Sequence, residues 1–132
     1  MTNPRFLPPR AAYVHVPFCR HRCGYCNFTV AAQRDDLIPA FLQALRTELS
    51  WLEVPRQVAS LYVGGGTPTY LPPEPLSELC TLLRHWFVSS GDLEFTVEAN
   101  PTDLNIERVG TLVRFGVNRI SLGVQSFQPT KL

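Results

Sequence analysis

The sequence lacks the features that mark several large classes of protein. Its net charge is only +1 over 132 residues, so it carries no electrostatic signature of nucleic-acid binding. No apolar run approaches the roughly 20 residues that span a bilayer. Residues 1–9 contain no long apolar segment typical of a secretory signal. We therefore expect no nucleic-acid partner and no transmembrane segment.

Two common nucleotide-binding motifs are also absent. The glycine-rich segment Gly-Gly-Gly-Thr-Pro-Thr at residues 64–69 is neither a phosphate-binding G-x4-G-K-[ST] loop nor a dinucleotide-binding G-x-G-x-x-G turn. Three residues without Cβ at the end of a predicted strand let a ligand approach the backbone. The exposed N–H and C=O groups there can hold an amine or a carboxylate. Taken alone, however, the segment indicates only a tight turn.

Cysteine is scarce but concentrated. Three of the four cysteines lie in Cys19-Arg-His-Arg-Cys23-Gly-Tyr-Cys26, here called the cysteine loop (residues 19–26). Three thiolates on one loop can hold three corners of an iron–sulfur cube and leave the fourth iron open. A structural zinc site normally has four protein ligands, and no fourth one follows at ligand spacing. The pattern predicts a cluster with a vacant coordination position.

Other interpretations of the cysteines and histidines remain. Zinc could recruit His15 or His21 beside the three thiolates, and disulfides would suit a small secreted protein. Cys80 lies on an apolar helical stripe, which predicts a buried structural thiol. We expect His15 to be a strand residue with a local hydrogen bond and His85 to be an exposed helix residue, neither with a chemical role.

Hydrophobic periodicity predicts an alternating β-α-β-α-β-α-β order. The predicted strands are residues 12–17, 58–63, 93–100 and 117–125, and the predicted helices are residues 36–52, 76–87 and 105–115. Asp36 is expected to cap the first helix, and Gly116 is expected to end the third. Such an order is typical of an α/β fold with parallel strands and helical crossovers.

The predicted strands have one apolar and one polar face. We expect the apolar face to pack against the helices and the polar face to line a concave lumen; the alternative is a sheet with one solvated face. The cysteine loop, the glycine-rich segment, Glu98 and Gln125 all fall at the carboxyl ends of strands. Active sites of parallel β/α barrels are built at that end.

Four longer strings identify the chain with a family. Tyr13-Val-His-Val-Pro-Phe-Cys19, Gly64-Gly-Gly-Thr-Pro-Thr-Tyr-Leu71, Glu98-Ala-Asn-Pro101 and Ser121-Leu-Gly-Val-Gln-Ser-Phe127 occur in this order. Together with the cysteine loop they resemble the radical S-adenosylmethionine (radical SAM) superfamily. Within it they resemble the oxygen-independent coproporphyrinogen III oxidase-like branch, which contains the oxidase HemN and the haem chaperone HemW. The resemblance implies about four β/α units of a partial (β/α)6 barrel.

The resemblance also implies site residues. Cys19, Cys23 and Cys26 would ligate a [4Fe–4S] cluster whose open iron chelates S-adenosylmethionine. The implied contacts to that cofactor are Tyr13, Tyr25 beside the adenosyl part, Gly65, Gly66 and Thr67 beside the methionine part, and Glu98 and Gln125 as polar ligands. The family chemistry is reductive cleavage of the sulfonium to a 5′-deoxyadenosyl radical. An oxygen-sensitive cluster suits a reducing cytoplasm or organelle matrix, and of these we expect the cytoplasm.

One residue bears on the choice within the branch. The oxidase subgroup carries a further cysteine two positions after the third cluster cysteine, where this chain has Phe28. A Cys-x-Phe sequence at this point resembles the haem-chaperone subgroup, which favours a haem chaperone. The alternatives are the oxidase and a zinc-binding structural domain without radical chemistry. The implied partners are haem or a porphyrinogen and an electron donor such as flavodoxin or ferredoxin. Haem would bind in the full-length protein.

The length points to an incomplete domain. We expect residues 1–10 to form an extended proline-rich arm and residues 11–132 an incomplete radical SAM core domain, since a complete (β/α)8 barrel needs about 250 residues. The fourth predicted strand would then be an unpaired parallel edge with an apolar outer face. We expect such a piece to be poorly stable and inactive alone.

Overall fold

The computed structural model describes residues 9–131, so most of the predicted arm lies outside the described residues. The fold is α/β, as predicted. The four strands of the main sheet are all parallel and lie side by side in chain order. They are β1 (Ala11–Val16), β2 (Ser60–Gly65), β3 (Glu94–Ala99) and β4 (Arg119–Leu122), connected by the helices α1 (Ile38–Ser50), α2 (Pro73–Trp86) and α3 (Ile106–Arg114).

Smaller elements join these units. Two short parallel pairs connect Phe18–Cys19 to Ala31–Ala32 and Arg56–Gln57 to Phe87–Val88. Single 3-10 turns occur at Asp35–Leu37, Pro68–Tyr70, Pro101–Asp103 and Pro129–Lys131. None of the helices among the described residues combines the length and apolarity that a membrane span needs.

Both ends of α3 are formed by residues that favour helix ends, whereas the cap predicted for α1 is not formed. Gly116 follows α3 with φ +85°, a left-handed conformation that glycine adopts without a Cβ penalty. At the other end of α3, the Asn105 side chain accepts a hydrogen bond from the Arg108 N–H. The prediction that Asp36 caps α1 is wrong. A 3-10 turn precedes that helix, and the Asp36 carboxylate accepts two hydrogen bonds from Arg34 instead.

The two-faced sheet is confirmed. The apolar residues of β1, β2 and β3 pack beneath the helices and form the core with leucines of α1 and α2. The opposite face carries Tyr13, His15, Tyr62 and Glu98, none of which is fully buried. Thr96 on that polar face is nevertheless only 1% exposed. Its register neighbours are the long side chains of Tyr62 and Arg119, which flank it on both sides.

The last β/α unit, α3 with β4, is the part of the fold whose side chains are least covered by other residues. The apolar stripe of α3 is exposed, with Ile106 at 89% and Val113 at 65%, because the helix packs through Thr111 and Leu112 instead. All four residues of β4 are also exposed. The described residues thus leave an apolar surface open beside the fourth strand, as expected from the sequence.

Candidate functional site

One cavity of about 500 Å³ lies at the carboxyl ends of the strands. Nine of the ten predicted site residues line it. They are Cys19, Cys23, Tyr25, Cys26, Gly65, Gly66, Thr67, Glu98 and Gln125. Its volume lies within the range usual for small-molecule and cofactor sites, about 300–1,000 Å³. Residues from four separate connections therefore meet at one place, as the parallel topology predicts.

The three loop thiols are free and half-buried, whereas Cys80 is buried among core leucines. Burial raises the pKa of Cys19, and a hydrogen bond with Thr67 opposes that rise. Contact with the Cys23 thiol raises the pKa of the exposed Tyr25. No disulfide joins any of the four cysteines.

The base of the cysteine loop is closed by the backbone. The Ala31 N–H donates to the Pro17 carbonyl at 2.7 Å, and the Gln33 N–H donates to the Cys19 carbonyl at 3.2 Å. Within the loop, the Cys26 N–H donates to the Cys23 carbonyl at 3.0 Å. These bonds hold together the loop whose three thiols line the cavity.

A buried carboxylate fixes the first half of the loop. The Arg20 guanidinium donates to Asp103 Oδ1 at 2.8 Å, and the Asp103 side chain is only 3% exposed. Arg20 also lies over the ring of Tyr70, 5.8 Å from its centroid. The loop is thereby tied to the connections that follow β3 and β2.

His15 fixes the segment after the loop. Its Nε2 lies 2.9 Å from the Thr29 carbonyl, and since a carbonyl only accepts, Nε2 carries a proton. In the neutral ring, Nδ1 then accepts from the Tyr13 hydroxyl at 3.1 Å. The expectation of a strand histidine with hydrogen bonds is confirmed. Tyr13 does not line the cavity; its ring stacks on Tyr62 at 6.0 Å.

The glycine-rich segment is needed for protein contacts more than for ligand access. A Cβ on Gly65, whose φ is +109°, would lie 2.4 Å from the ring of His15. A Cβ on Gly66 would lie 2.6 Å from the Phe18 carbonyl oxygen. The space expected for a ligand is therefore taken largely by the chain itself, although both glycines still line the cavity.

Glu98 is held in place by two donors. The Tyr62 hydroxyl donates to Oε1 at 2.8 Å, and the Gly65 N–H donates to Oε2 at 2.9 Å. A carboxylate offers about four acceptor positions, so Glu98 keeps capacity for a ligand donor. Its place at the end of β3 agrees with the sequence prediction.

Gln125 reaches the cavity by a different route from the predicted one. The fourth strand ends at Leu122, not at residue 125. The Gly123 N–H donates to the Ala99 carbonyl of β3. The next residue no longer follows the sheet, because the Val124 N–H donates to the Leu122 carbonyl two residues earlier. Gln125 then has φ +64°, a turn conformation. The apparent strand alternation continued through residues that leave the sheet.

Sequence reasoning missed several residues of the site, among them Asn100, Ser121 and Asp103. Asn100 and Ser121 line the cavity, and Asp103 anchors Arg20 from behind it. Asn100 and Ser121 lie inside strings already singled out, and their place at strand ends was the available signal. Nothing in the sequence marked Asp103, because its partner lies 83 positions away.

The arrangement is that of a parallel β/α protein with a thiol-lined cavity at the carboxyl ends of its strands. The model of the Radical SAM superfamily matches residues 13–132. The chain belongs to that superfamily.

Relatives of two kinds resemble this chain. The heme chaperone HemW of Lactococcus lactis is 41% identical over 119 residues, which are 90% of this chain and 31% of the relative. The oxygen-independent coproporphyrinogen III oxidase of Bradyrhizobium diazoefficiens is 43% identical over 122 residues, which are 89% of this chain and 27% of the relative. Identity alone does not separate the two.

A solved structure shares the fold. The coproporphyrinogen III oxidase HemN of Escherichia coli, described as a radical SAM enzyme, superposes with a TM-score of 0.83 at 33% identity. The match covers 96% of this chain and 30% of that one. The chain thus spans about a third of the length of these relatives.

The family implies a [4Fe–4S] cluster and S-adenosylmethionine, and the donor set fits both. Three free thiols that line one cavity suit a cluster, which takes one thiolate at each of three iron corners. Within residues 9–131, no three His, Cys, Asp or Glu side chains converge on a single metal ion. Glu98 lines the cavity beside the thiols together with Gly65 and Gly66, and its carboxylate keeps acceptor positions for a cofactor.

Proposed function

We propose that this chain is the cofactor-binding part of a HemW-like radical SAM protein that serves as a haem chaperone. In this proposal Cys19, Cys23 and Cys26 hold a [4Fe–4S] cluster, and S-adenosylmethionine binds at its open iron. The observation that carries the proposal is that all three loop thiols line one cavity together with the glycine-rich segment and Glu98. Residues 11–132 would then form part of a radical SAM core domain.

The residues have separate tasks in this proposal. Arg20 and His15 hold the loop in position through Asp103 and the Thr29 carbonyl. Glu98 and Gln125 bind polar groups of the adenosylmethionine, and Tyr25 covers its adenosyl part. When bound, the cluster supplies the electron that cleaves the sulfonium, and the protein keeps water and oxygen away. A flavodoxin or ferredoxin would deliver that electron.

Phe28 favours the chaperone over the oxidase. It lines the cavity and is 64% exposed at the position where the oxidase subgroup has its additional cysteine. The oxidase is the second candidate, supported by the 43% identity to the Bradyrhizobium enzyme. In that case the substrate would be coproporphyrinogen III, and propionate side chains would be decarboxylated.

Anaerobic reconstitution tests the cofactor part. With iron and sulfide, the protein should gain about four irons per chain and a brown colour, and should then bind S-adenosylmethionine in equilibrium dialysis. Serine at Cys19, Cys23 or Cys26 should abolish cluster assembly. Cys80→Ala is the matched control and should leave it intact. A colourless protein holding one zinc would contradict the proposal and favour a structural domain.

A second experiment separates the two candidate functions in the full-length protein. A chaperone should bind haem, seen as a Soret band during titration, and should pass it to an apo-haemoprotein. An oxidase should instead release carbon dioxide from coproporphyrinogen III in the presence of S-adenosylmethionine and a reductant. Carbon dioxide release without haem binding would assign the oxidase.

A further inference from the structure

Three side chains from three different connections form a row of contacts that ends at the cysteine loop. The Asn100 side-chain amide donates to Thr67 Oγ1 at 3.2 Å. Thr67 Oγ1 in turn lies 3.7 Å from Cys19 Sγ, within hydrogen-bonding reach of a sulfur. Asn100 follows β3, Thr67 follows β2, and Cys19 follows β1. The row therefore runs along the wall of the cavity.

The direction of each hydrogen bond follows from the chemistry of the groups. An amide nitrogen only donates, so the Thr67 oxygen accepts from Asn100. The hydroxyl proton of Thr67 is then free for another acceptor, and the Cys19 sulfur is the contact recorded for it among the described residues. A metal-ligating cysteine is a thiolate and has no proton. In that form of Cys19, the Thr67 hydroxyl must be the donor.

The backbone holds Thr67 in this position. Its N–H donates to the Phe18 carbonyl at 2.8 Å, directly before Cys19, and the Gly66 N–H donates to Val16 at 2.7 Å. A Cβ on Gly66 would meet the Phe18 carbonyl oxygen, so this close approach depends on glycine. Thr67 is only 7% exposed, so little water competes for its hydroxyl proton.

We propose that Thr67 is a positioning residue for Cys19 that donates a hydrogen bond to the ligating sulfur and thereby raises the reduction potential of the cluster. A donor aimed at a ligand sulfur stabilises the negative charge that reduction adds. Asn100 orients the hydroxyl by occupying its oxygen. This inference rests on the proposed cluster site and adds a task for Thr67: its hydroxyl proton goes to the Cys19 sulfur, while the second lone pair of its oxygen stays open to a donor such as the methionine amine.

Paired substitutions test the hydrogen bond. Thr67→Val keeps the shape of the side chain and removes the hydroxyl; Thr67→Ser keeps the hydroxyl. The readout is the midpoint potential of the reconstituted cluster, followed by EPR during a redox titration. Thr67→Val should shift the potential to a more negative value, and Thr67→Ser should restore it. Thr69→Val is the matched control, because Thr69 is fully buried two residues away and its hydroxyl has no hydrogen-bond partner among the described residues.

Asn100 supplies an independent check. Asn100→Ala should shift the potential in the same direction as Thr67→Val, by a smaller amount, and should add nothing when combined with Thr67→Val. If Thr67→Val assembles no cluster, the shift of the midpoint potential in Asn100→Ala carries the test. Thr67→Ser, which keeps the hydroxyl, should then still have the wild-type potential.

The outcomes distinguish this inference from the proposed function. Wild-type protein without an iron–sulfur cluster would overturn both. A wild-type cluster whose potential is unchanged by Thr67→Val, or by Asn100→Ala where that variant carries the test, would overturn the role of Thr67 alone. An equal shift in Thr69→Val would also overturn it, because the effect would then come from packing.

Discussion

Arg20 and Asp103 form an ion pair at 2.8 Å that joins the cysteine loop to the connection after β3, across 83 positions of sequence. The two partners lie in different surroundings: the Arg20 side chain is 64% exposed, whereas that of Asp103 is 3% exposed. A buried carboxylate without its partner is costly, since water cannot replace the lost cation. The pair therefore stabilises the loop mainly because the Arg20 cation compensates the negative charge of the buried Asp103 carboxylate.

Removal of Arg20 should destabilise the fold more than removal of an arginine from a surface pair. Arg46 and Glu78 provide the comparison, because their distance is also 2.8 Å but both side chains are about half exposed. Arg20→Ala should lower the denaturant midpoint clearly, and Arg46→Ala should change it hardly at all. Urea unfolding of the iron-free protein, followed by circular dichroism, measures both.

A second substitution identifies the cause. Asp103→Asn in the Arg20→Ala background should recover part of the lost stability, because a buried amide costs less than a buried, uncompensated charge. If the double variant is less stable than Arg20→Ala alone, compensation of the Asp103 charge is not what Arg20 provides.

Local patterns in the sequence predicted the fold and the location of the site. The helical and strand periodicities depend on near neighbours, so the β-α order and the two-faced sheet could be predicted. The cysteine loop was visible as a spacing within eight residues. Parallel strands then fix which end of the sheet these groups share, which predicted that Glu98 and the thiols would meet.

Long-range contacts could not be predicted in the same way. Neither residue of the Arg20–Asp103 pair carries a signal that names its partner. The exposed stripe of α3 was visible as a periodicity, but no pattern states which side of a helix its neighbours cover. For Gln125 a local pattern misled instead: the alternation of Gly123 and Gln125 with Leu122 and Val124 resembled a strand at a place where the chain turns.

Substitution of Gly66 by alanine should destabilise the site. The new Cβ would lie 2.6 Å from the Phe18 carbonyl oxygen and 2.8 Å from the Pro17 carbonyl carbon. Both are backbone atoms at the base of the cysteine loop, so relief requires displacement of the loop. We expect a loss of about 1–3 kcal/mol in the free energy of unfolding, measured by urea denaturation.

Gly110→Ala is the matched control for that experiment. Gly110 lies within α3, and a Cβ there would meet no atom within 4 Å. Alanine is favoured over glycine in a helix by about 0.5–1 kcal/mol, so this variant should be slightly more stable than the wild type. Equal losses in both variants would show that the close approach at Gly66 is unimportant.

Thr96→Val should leave the stability unchanged or raise it by about 1 kcal/mol. Thr96 is 1% exposed, and its hydroxyl is buried without a hydrogen-bond partner among the described residues. Valine keeps the branched shape that suits a strand and removes the uncompensated hydroxyl. Thr96→Ser keeps the hydroxyl and loses the methyl group, so it should be less stable than the wild type. A destabilised valine variant would indicate an undetected partner for the hydroxyl.

The stability of the iron-free protein should fall at alkaline pH because of Cys80. Burial raises the pKa of this thiol from 9.0 to about 12, so between these values the unfolded chain has lost a proton that the folded chain keeps. The unfolded state then binds fewer protons, and the free energy of unfolding should decrease by about 1.4 kcal/mol per pH unit above pH 9.

Cys80→Ala is the control for this prediction. It lacks the thiol and its pH dependence but leaves a cavity, so it should be the less stable protein at pH 8. From pH 8 to pH 10 the difference in the free energy of unfolding between the two proteins should narrow by about 1.4 kcal/mol. All other residues are the same in the two proteins, so their contributions cancel in the comparison. A difference that stays constant from pH 8 to pH 10 would mean that the Cys80 thiol ionises as easily in the fold as in the unfolded chain.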